Sequence, residues 1–396
     1  MSRTFLTQAK IYTGEAFFPE GFLLIENDQI AAVGRMEELP DIKAEDKVIE
    51  LHDKATVMPG FIDVHIHGAG GADAMDATPE ALATISSALP KEGTTSFLAT
   101  TMSTNRDQIT AAVQNVAAYM DNQNTAGAEV LGIHLEGPFL NPKRAGAQDP
   151  GNIIEPSIEL FQKWIEAGKH QIKLVTLAPE QEGGCECVQH MASLQVMPSI
   201  GHSDAVYAEV EKAVQHGVKH ATHLFNGMRG LHHREAGTAG AVLLMDEVKV
   251  EMIVDGIHIA SEMVKLAYKL KGAEGIVLIT DAMRAKGLGA GRYDLGGQEV
   301  IVDTEKGRAT LEDGTLAGSI LKYRDAVANM IDYTGCSLDE IVTMASVNPA
   351  KQINVFDRKG SLSAGKDADI VVVDDSLEIL MTFCRGKMVY TRSAVE

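Results

Sequence analysis

The feature that most constrains the fold is an alternation of apolar strand-like runs with helix-like segments between residues 58 and 359. Eight runs have the length and composition of buried strands: 60–67, 95–100, 129–136, 172–177, 197–202, 220–224, 249–254 and 275–280. Segments with helical periodicity lie between them, at 78–91, 103–120, 157–167, 205–215 and 261–270. Eight strands alternating with helices over ~250 residues predict an α/β fold with a (β/α)8 TIM barrel. An open, doubly wound sheet is the alternative.

The two ends of the chain differ in character from its middle. Residues 1–57 and 360–396 contain short strand-like runs and almost no helical periodicity. Because chain termini often lie close together, we expect these two ends to combine. The predicted architecture is a small β-sandwich domain formed from residues 1–57 and 360–396, and a catalytic barrel formed from residues 58–359.

The composition argues against several classes of protein. The 396 residues carry a formal net charge of −20, and contacts to nucleic-acid phosphates or an anionic membrane need a basic face. The longest apolar runs, such as 241–245 and 370–373, are far shorter than the ~20 residues of a spanning helix. The amino terminus has no apolar signal core, and four cysteines do not make a disulfide framework. We therefore expect a cytoplasmic protein with reduced thiols and with no nucleic-acid or membrane partner.

Ionisable side chains stand at or just after the carboxyl ends of most predicted strands. They are His65, His67, Glu136, His202, His223, His258 and Asp281. A TIM barrel builds its active site at these strand ends, so we expect the side chains to converge. Imidazole and carboxylate ligands together suit zinc, iron or cobalt better than magnesium or calcium. His134 lies one layer deeper and His220 faces away from His223, so both are predicted to be structural.

Each of these residues also has an ordinary interpretation. Glu136 alone could be a solvated loop carboxylate, Asp281 a helix cap, and a single His-x-His pair part of a core or loop. Those interpretations do not explain why such residues occur at successive strand ends. The glycine-rich stretches 68–71 and 286–297 do not fit a dinucleotide-binding fingerprint, and we expect mobile loops over the site there.

Longer motifs resemble those of a known superfamily. The run MPGFIDVHIHG at 58–68 resembles the first-strand signature of the metal-dependent amidohydrolases, and 346–351 and 365–373 resemble their carboxyl-terminal features. Within that superfamily, further runs resemble the N-acetylglucosamine-6-phosphate deacetylase family: HLEGPF at 134–139, GHS at 201–203, THLFNGM at 222–228, DGIH at 255–258, TDA at 280–282 and LAGS at 316–319. The match extends over nearly the whole chain, and the combination is far more specific than any single motif.

The resemblance implies hydrolysis of N-acetylglucosamine 6-phosphate to glucosamine 6-phosphate and acetate, in amino-sugar catabolism and cell-wall sugar recycling. The metal ligands that it implies are, for a main site, Glu136, His202 and His223, and for a second site His65 and His67. Imidazoles at both second-site positions favour two divalent ions per subunit, iron or zinc first and cobalt or manganese as alternatives. The general base and acid corresponds to Asp281, which is also expected to bind metal.

The resemblance also implies where the substrate binds. The expected contacts are Ala147, Asn226, Gly227, Arg234, His258, Leu316, Ala317 and Gly318. It further implies a homodimer in which Arg234 reaches the neighbouring active site, where it pairs with phosphate together with His258. One departure is Gln148, which stands where many family members have a histidine that polarises the amide carbonyl. A neutral amide is a weaker donor, so we infer that the second metal supplies this polarisation.

Two other functions are compatible with parts of the sequence. Another amidohydrolase, such as a cyclic-amide hydrolase or a nucleobase deaminase, often uses a carboxylated lysine at the end of strand four, and no lysine ends the 173–179 strand. A substrate without phosphate would leave Arg234 without a role. A non-catalytic barrel that serves as a scaffold would usually have lost metal ligands, whereas all the expected ligands are present here.

Overall fold

The computed structural model describes residues 3–52 and 55–392, and most of the described chain forms regular elements. The strands are β1 Arg3–Tyr12, β2 Phe17–Glu26, β3 Gln29–Arg35, β4 Lys47–Glu50, β5 Thr56–Pro59, β6 Phe61–Ile66, β7 Gly68–Ala69, β8 Ala72–Asp73, β9 Thr94–Thr100, β10 Glu129–Glu136, β11 Ile172–Leu177, β12 Met197–Ile200, β13 His220–Ala221, β14 Lys249–Ile253, β15 Ile276–Ile279, β16 Gly291–Leu295, β17 Gln298–Asp303, β18 Arg308–Thr310, β19 Ile370–Val373, β20 Ile379–Cys384 and β21 Lys387–Thr391. The α-helices are α1 Pro79–Ala88, α2 Arg106–Met120, α3 Ile158–Ala167, α4 Gly184–Ser193, α5 Tyr207–His216, α6 Gly237–Leu244, α7 Ser261–Lys271, α8 Tyr323–Thr334, α9 Leu338–Val342 and α10 Asn348–Gln352.

Eight parallel strands form the barrel, in the spatial order β6, β9, β10, β11, β12, β13, β14, β15. The first and last of these strands meet just beyond β15, where the Asp281 N–H donates to the His65 carbonyl at 2.9 Å and Ile66 bridges to Ala282. Nearly every residue of these strands is buried, as expected when helices cover one face and the barrel core fills the other. The predicted barrel is confirmed, and the open sheet is excluded.

Strands from both chain ends form one continuous sheet against the barrel. Its order is β21, β20, β19, β5, β1, β2, β3, and β4 pairs with β1 beside β5. The two termini meet where β5 pairs antiparallel with β19, and apolar side chains such as Leu6, Ile25, Ile370 and Phe383 share one buried cluster. The fold-class prediction of β-structure from both termini is therefore confirmed. Gly60 alone separates β5 from β6, and a Cβ there would lie 2.2 Å from the Thr95 side chain.

The glycine-rich stretch 286–297 is not simply a loop. Its second half forms β16, which pairs with β17, and β17 pairs with β18 on its other side, so the three strands form one antiparallel sheet. Gly296 and Gly297 join β16 to β17 with φ of +61° and +86°, which is the pattern of a two-residue hairpin turn. Leu295 and Val300 pack this sheet against Met283 at the mouth of the barrel. Gly296 and Gly297, two of the glycines that suggested a mobile loop, are therefore residues of a hairpin turn.

The sequence pattern did not predict the helices α4, α6, α8, α9 and α10. Helix α6 is buried on nearly all sides, so it lacks the single apolar stripe of a surface helix. Helix α4 does bury one stripe, which includes Cys187, Val188 and Met191, but it begins with Gly184, and glycine is a poor helix former. Within the described residues, no helix has both the length and the apolar character needed to cross a membrane.

Candidate metal centre and substrate pocket

Three candidate ligands share an unusual backbone conformation. His202, His223 and Asp281 each stand two residues beyond the last residue of a barrel strand, with φ of +47°, +32° and +49°. Non-glycine residues rarely adopt this left-handed region, and such strain tends to occur at functional sites. The chain therefore turns each side chain into the mouth of the barrel at a conformational cost.

A first group of ligand atoms comes from β10 and from the residues after β12 and β13. The Glu136 Oε1 lies 3.2 Å from the Nε2 of His202 and 3.2 Å from the Nε2 of His223, and the two nitrogens are 3.1 Å apart. Three ligands at ~2.0 Å from a tetrahedral metal would be about 3.3 Å from one another. The triangle therefore has the dimensions of a metal site.

A second group lies beside it and shares the same glutamate. The Asp281 Oδ1 is 3.2 Å from the His67 Nε2 and 3.5 Å from the His65 Nε2. The Glu136 Oε2 lies 3.3 Å from the His67 Nε2. The two oxygens of Glu136 thus face both groups. We call His65, His67, Glu136, His202, His223 and Asp281 the histidine cluster.

Hydrogen bonds at Nδ1 orient three of the four imidazoles. His202 donates to the Arg144 carbonyl at 2.8 Å, His67 to the Thr100 carbonyl at 3.3 Å, and His65 to the Glu251 carboxylate at 2.9 Å. Because these acceptors fix the proton on Nδ1, each Nε2 presents its lone pair to the cluster. The Nε2 of His65 is buried and, among the described residues, has no hydrogen-bond partner. This donor set fits a divalent transition metal.

The electrostatics of the cluster also favour a cation. Burial lowers the pKa of His67, yet hydrogen bonds to Asp281 and Glu136 raise it to about 10. Burial raises the pKa of Glu136, but the surrounding imidazoles, His65 first, hold it well below its usual range. Among the described residues, neither Glu136 nor Asp281 forms an ion pair with a lysine or arginine. Two buried carboxylates are thus compensated by imidazoles alone.

A deeper layer of polar side chains lies under the cluster. His134 donates from Nδ1 to the Val64 carbonyl at 3.1 Å and accepts the Thr176 hydroxyl at Nε2 at 2.7 Å, and burial lowers its pKa to about 3. His220 contacts Glu251 at 3.0 Å. The pattern of residues at strand ends did not indicate a role for Glu251. The feature of the sequence that could have revealed it is a carboxylate within an otherwise apolar part of a barrel strand, β14.

A cavity of about 220 Å³ opens above the cluster. Six of the predicted substrate residues line it: Ala147, Asn226, Gly227, His258, Leu316 and Gly318. Ala317 lies behind them, fully buried, and its N–H donates to the Ala309 carbonyl. Arg234 does not line the cavity but lies on an exposed loop, where its Nη1 is 2.8 Å from the His233 Nε2. The structure thus brings all of the predicted contacts except Ala317 and Arg234 to the lining of this one cavity.

Two further hydrogen-bonded groups shape the cavity. Gln148 accepts the Ser103 N–H at 2.8 Å and donates to the Glu136 Oε2 at 2.9 Å, so its amide is oriented by the cluster. Asp255 accepts from the Nδ1 of His258 at 2.6 Å and from the backbone N–H groups of residues 257 and 258. Burial lowers the pKa of His258, but this bond to Asp255 raises it overall. The pair therefore favours a cationic imidazole at the cavity wall.

An eight-stranded barrel with histidines and carboxylates at its carboxyl ends defines a class, the metal-dependent barrel hydrolases. Residues 56–389 match the model of the Amidohydrolase family. An N-acetylglucosamine-6-phosphate deacetylase of Bacillus subtilis (strain 168) is 45% identical over 384 residues, which cover 96% of this chain and 95% of the relative.

Two solved structures are also similar. An N-acetylglucosamine-6-phosphate deacetylase from Thermotoga maritima is 36% identical, with a TM-score of 0.87 over 98% of this chain and 100% of that one. A mutant of the enzyme from Mycobacterium smegmatis, in complex with N-acetyl-D-glucosamine-6-phosphate, is 32% identical, with a TM-score of 0.91 over 99% and 100%. The chain therefore belongs to the amidohydrolase family, and within it to the group of these deacetylases.

Proposed function

We propose that this protein hydrolyses the acetamide of N-acetylglucosamine 6-phosphate to glucosamine 6-phosphate and acetate, in amino-sugar catabolism and cell-wall sugar recycling. The observation that carries the proposal is the convergence of four imidazoles and two carboxylates beneath a cavity that His258 also lines. The names of the relatives, and the sugar phosphate in the Mycobacterium smegmatis complex, support this substrate.

The histidine cluster would hold two divalent cations. Glu136, His202 and His223 would bind the first, and His65, His67 and Asp281 the second. The mixed nitrogen and oxygen donors favour iron or zinc, with cobalt or manganese as alternatives. The chemistry that such a cation supplies when bound is polarisation of the amide carbonyl and a lowering of the pKa of water to roughly 7.

Asp281 is the proposed general base and acid. One carboxylate oxygen takes a proton from water as the water oxygen adds to the acetamide carbon. The same carboxyl then returns the proton to the amide nitrogen as the C–N bond breaks, so that amine and acetate leave. Gln148 holds Glu136 through its Nε2–H group and is thus turned away from the role of carbonyl donor. This supports the second cation as the polarising group.

The phosphate is proposed to bind between His258 and an arginine of a second copy of the chain. Arg234 lies outside the cavity of its own chain, on a loop beside Leu231, which is 58% exposed. Leu244, at the end of α6, is 62% exposed, and Leu231 packs against Gly240 of the same helix. Exposed apolar side chains next to this loop support a homodimer contact there.

The reaction is tested by following acetate release from N-acetylglucosamine 6-phosphate and from unphosphorylated N-acetylglucosamine, with and without chelator. We expect fast, chelator-sensitive release from the phosphorylated sugar and little from the other. Equal rates with the two sugars would contradict the phosphate site. No release by metal-loaded protein would contradict the substrate.

The shared site is tested by mixing two inactive variants, Arg234→Ala and Asp281→Asn. If Arg234 acts across the dimer, each mixed dimer regains one intact site, and activity returns after subunit exchange. If Arg234 acts within its own chain, every site keeps one defect and the mixture stays inactive. Light scattering should give the mass of two 42.5-kDa chains.

A cytoplasmic location completes the proposal. All four cysteines are free and buried thiols, which supports a reducing compartment. Cell fractionation tests this, and recovery of the protein outside the cytoplasm would contradict it.

A further inference from the structure

Glu251 is a carboxylate with no role in the reaction described above, yet it lies at the centre of the barrel. It belongs to β14 and is fully buried. Among the described residues it forms ion pairs only with His65 and His220, and none with a lysine or arginine. A carboxylate buried in this way is costly unless its oxygens are well satisfied, so its partners indicate its purpose.

The partners of Glu251 belong to both halves of the histidine cluster. Its Oε2 accepts from the Nδ1 of His65 at 2.9 Å and from the backbone N–H of His223 at 3.1 Å. Its Oε1 lies 3.0 Å from the Nε2 of His220, whose Nδ1 faces the Gln352 amide at 3.0 Å. One oxygen therefore holds a ring from β6 and the backbone that follows β13.

Both contacts act on features that a metal site needs. The bond to Nδ1 keeps the proton of His65 on that nitrogen and leaves the buried, unpartnered Nε2 directed at Asp281 and Glu136. The bond to His223 holds a residue whose φ is +32°, a conformation that an unsupported histidine would leave. Partners of this kind orient a metal-binding imidazole and fix its tautomer.

We infer that Glu251 is a positioning residue of the metal centre, which sets the ring of His65 and the backbone of His223 through a single carboxylate oxygen. The inference rests on the proposed function only in that the cluster binds metal. Removing such a partner typically lowers metal affinity about 10- to 100-fold.

Two substitutions distinguish the proposed positioning role of Glu251 from an effect of its charge or of its packing. Glu251→Met fills similar space but accepts no hydrogen bond, so His65 and His223 lose their support. Glu251→Gln is the matched control. Its amide oxygen can accept from both residues, while its NH2 group donates to the Nε2 of His220 and the His220 Nδ1–H donates to Gln352.

The measurement is Zn²⁺ binding to the metal-stripped full-length protein, in competition with a chromophoric chelator, with circular dichroism to confirm folding. We expect Glu251→Met to weaken binding about 10- to 100-fold and Glu251→Gln to remain within about threefold of the wild type. A folded Met variant with wild-type affinity would overturn the inference. Equal weakening by Met and Gln would overturn it too, because charge rather than hydrogen bonding would then matter.

If the Met variant does not fold, Glu251→Asp takes its place, because it keeps the charge but withdraws the carboxylate from His65 by one methylene. Weakened binding by this variant supports the inference, and unchanged binding contradicts it. The assay contains no sugar, so an error in the proposed substrate leaves its result unaffected. A wild type that binds no Zn²⁺ would overturn both proposals.

Discussion

Strand β10 begins in one cluster of charged side chains and ends in another, and the carboxylate charges of the two clusters are balanced in different ways. At its amino end, Glu129 lies 2.7 Å from the Nζ of Lys359, and that ammonium also contacts Asp367 at 2.9 Å and Asp369. Arg358 adds a second cation, with hydrogen bonds to Glu129 and Asp367. We call these five residues the basal ion network. Its carboxylates are neutralised by side chains of the chain itself.

Within residues 3–52 and 55–392, no lysine or arginine supplies such a cation to the histidine cluster at the carboxyl end. Glu136 is surrounded by imidazole nitrogens, and the Nε2 of His65 has no hydrogen-bond partner in the part of the chain that the structure describes. The spacing of the possible ligand atoms does not by itself distinguish the two ends of β10, because Glu129, Asp367 and Asp369 also lie close enough together to hold a metal. The difference is Lys359, whose ammonium occupies that position. In a barrel, the amino-terminal end serves stability and the carboxyl-terminal end serves catalysis, and the two clusters follow this division.

The largest expected effect lies in the histidine cluster. Asp281→Asn removes the proposed proton acceptor, so acetate release should fall about 10²- to 10⁴-fold. Metal analysis should still find the cation of the Glu136, His202 and His223 site. The exposed carboxylate variant Asp313→Asn is the control and should keep wild-type turnover. Near-normal activity of Asp281→Asn would contradict the assignment.

A substitution in the basal ion network should lower the stability of the fold and leave the catalytic rate unchanged. Lys359→Met leaves the buried Glu129 and Asp369 and the half-buried Asp367 without their shared ammonium, which should lower the free energy of unfolding by about 3–5 kcal/mol. Urea unfolding measures this, and kcat of the folded protein should stay close to that of the wild type. The exposed Lys163→Met is the control and should leave the urea midpoint unchanged. Should Lys359→Met unfold at the wild-type midpoint, the network would not be a stabilising one.

Acid should weaken the same network in a defined pH window. Burial raises the pKa of Glu129, but hydrogen bonds from Arg358 and the charge of Lys359 lower it to about 2, from 4.5 in the unfolded chain. A carboxyl with a lowered folded pKa contributes stability above pH 4.5 and loses it as the pH falls toward 2. The contribution is about 3 kcal/mol, from ~1.4 kcal/mol per pKa unit. The difference in free energy of unfolding between wild type and Lys359→Met should therefore become smaller as the pH falls from 4.5 toward 2. A difference that stays constant over this range would contradict the prediction.

A smaller effect is expected at the rim of the cavity. Asp255→Asn removes the charge that favours a protonated His258, so KM for the phosphorylated sugar should rise about tenfold, equivalent to roughly 1.4 kcal/mol, with kcat changed less. The unphosphorylated sugar is the control, since its KM should not change. A decrease in kcat alone would indicate that Asp255 and His258 take part in the hydrolysis step and not in phosphate binding.

Local patterns in the sequence were sufficient to predict the barrel and most of its mouth. Eight apolar runs marked the strands, and the period of two along the run 60–67 placed His65 and His67 on one face. The positions of Glu136, His202, His223 and Asp281 at or just after strand ends followed from the same runs. These features depend on residues that are neighbours in sequence, so they can be read without knowing the tertiary structure.

The remaining features depend on contacts between distant residues. Glu251 meets His65 across 186 positions, and Arg358 meets Glu129 across 229, so neither pairing has a local signature. The hairpin of β16 and β17 was hidden by its own turn glycines. The proposed role of Arg234 depends on a second chain, which the pattern of a single chain cannot describe.

The most direct test of the difference between the two ends of β10 is anomalous diffraction from crystals of the protein loaded with Zn²⁺ and measured at the zinc edge. We expect peaks beside Glu136, His202 and His223 and beside His65, His67 and Asp281, and none at Glu129, Asp367 and Asp369. A peak in the basal ion network, or no peak in the histidine cluster, would contradict this expectation.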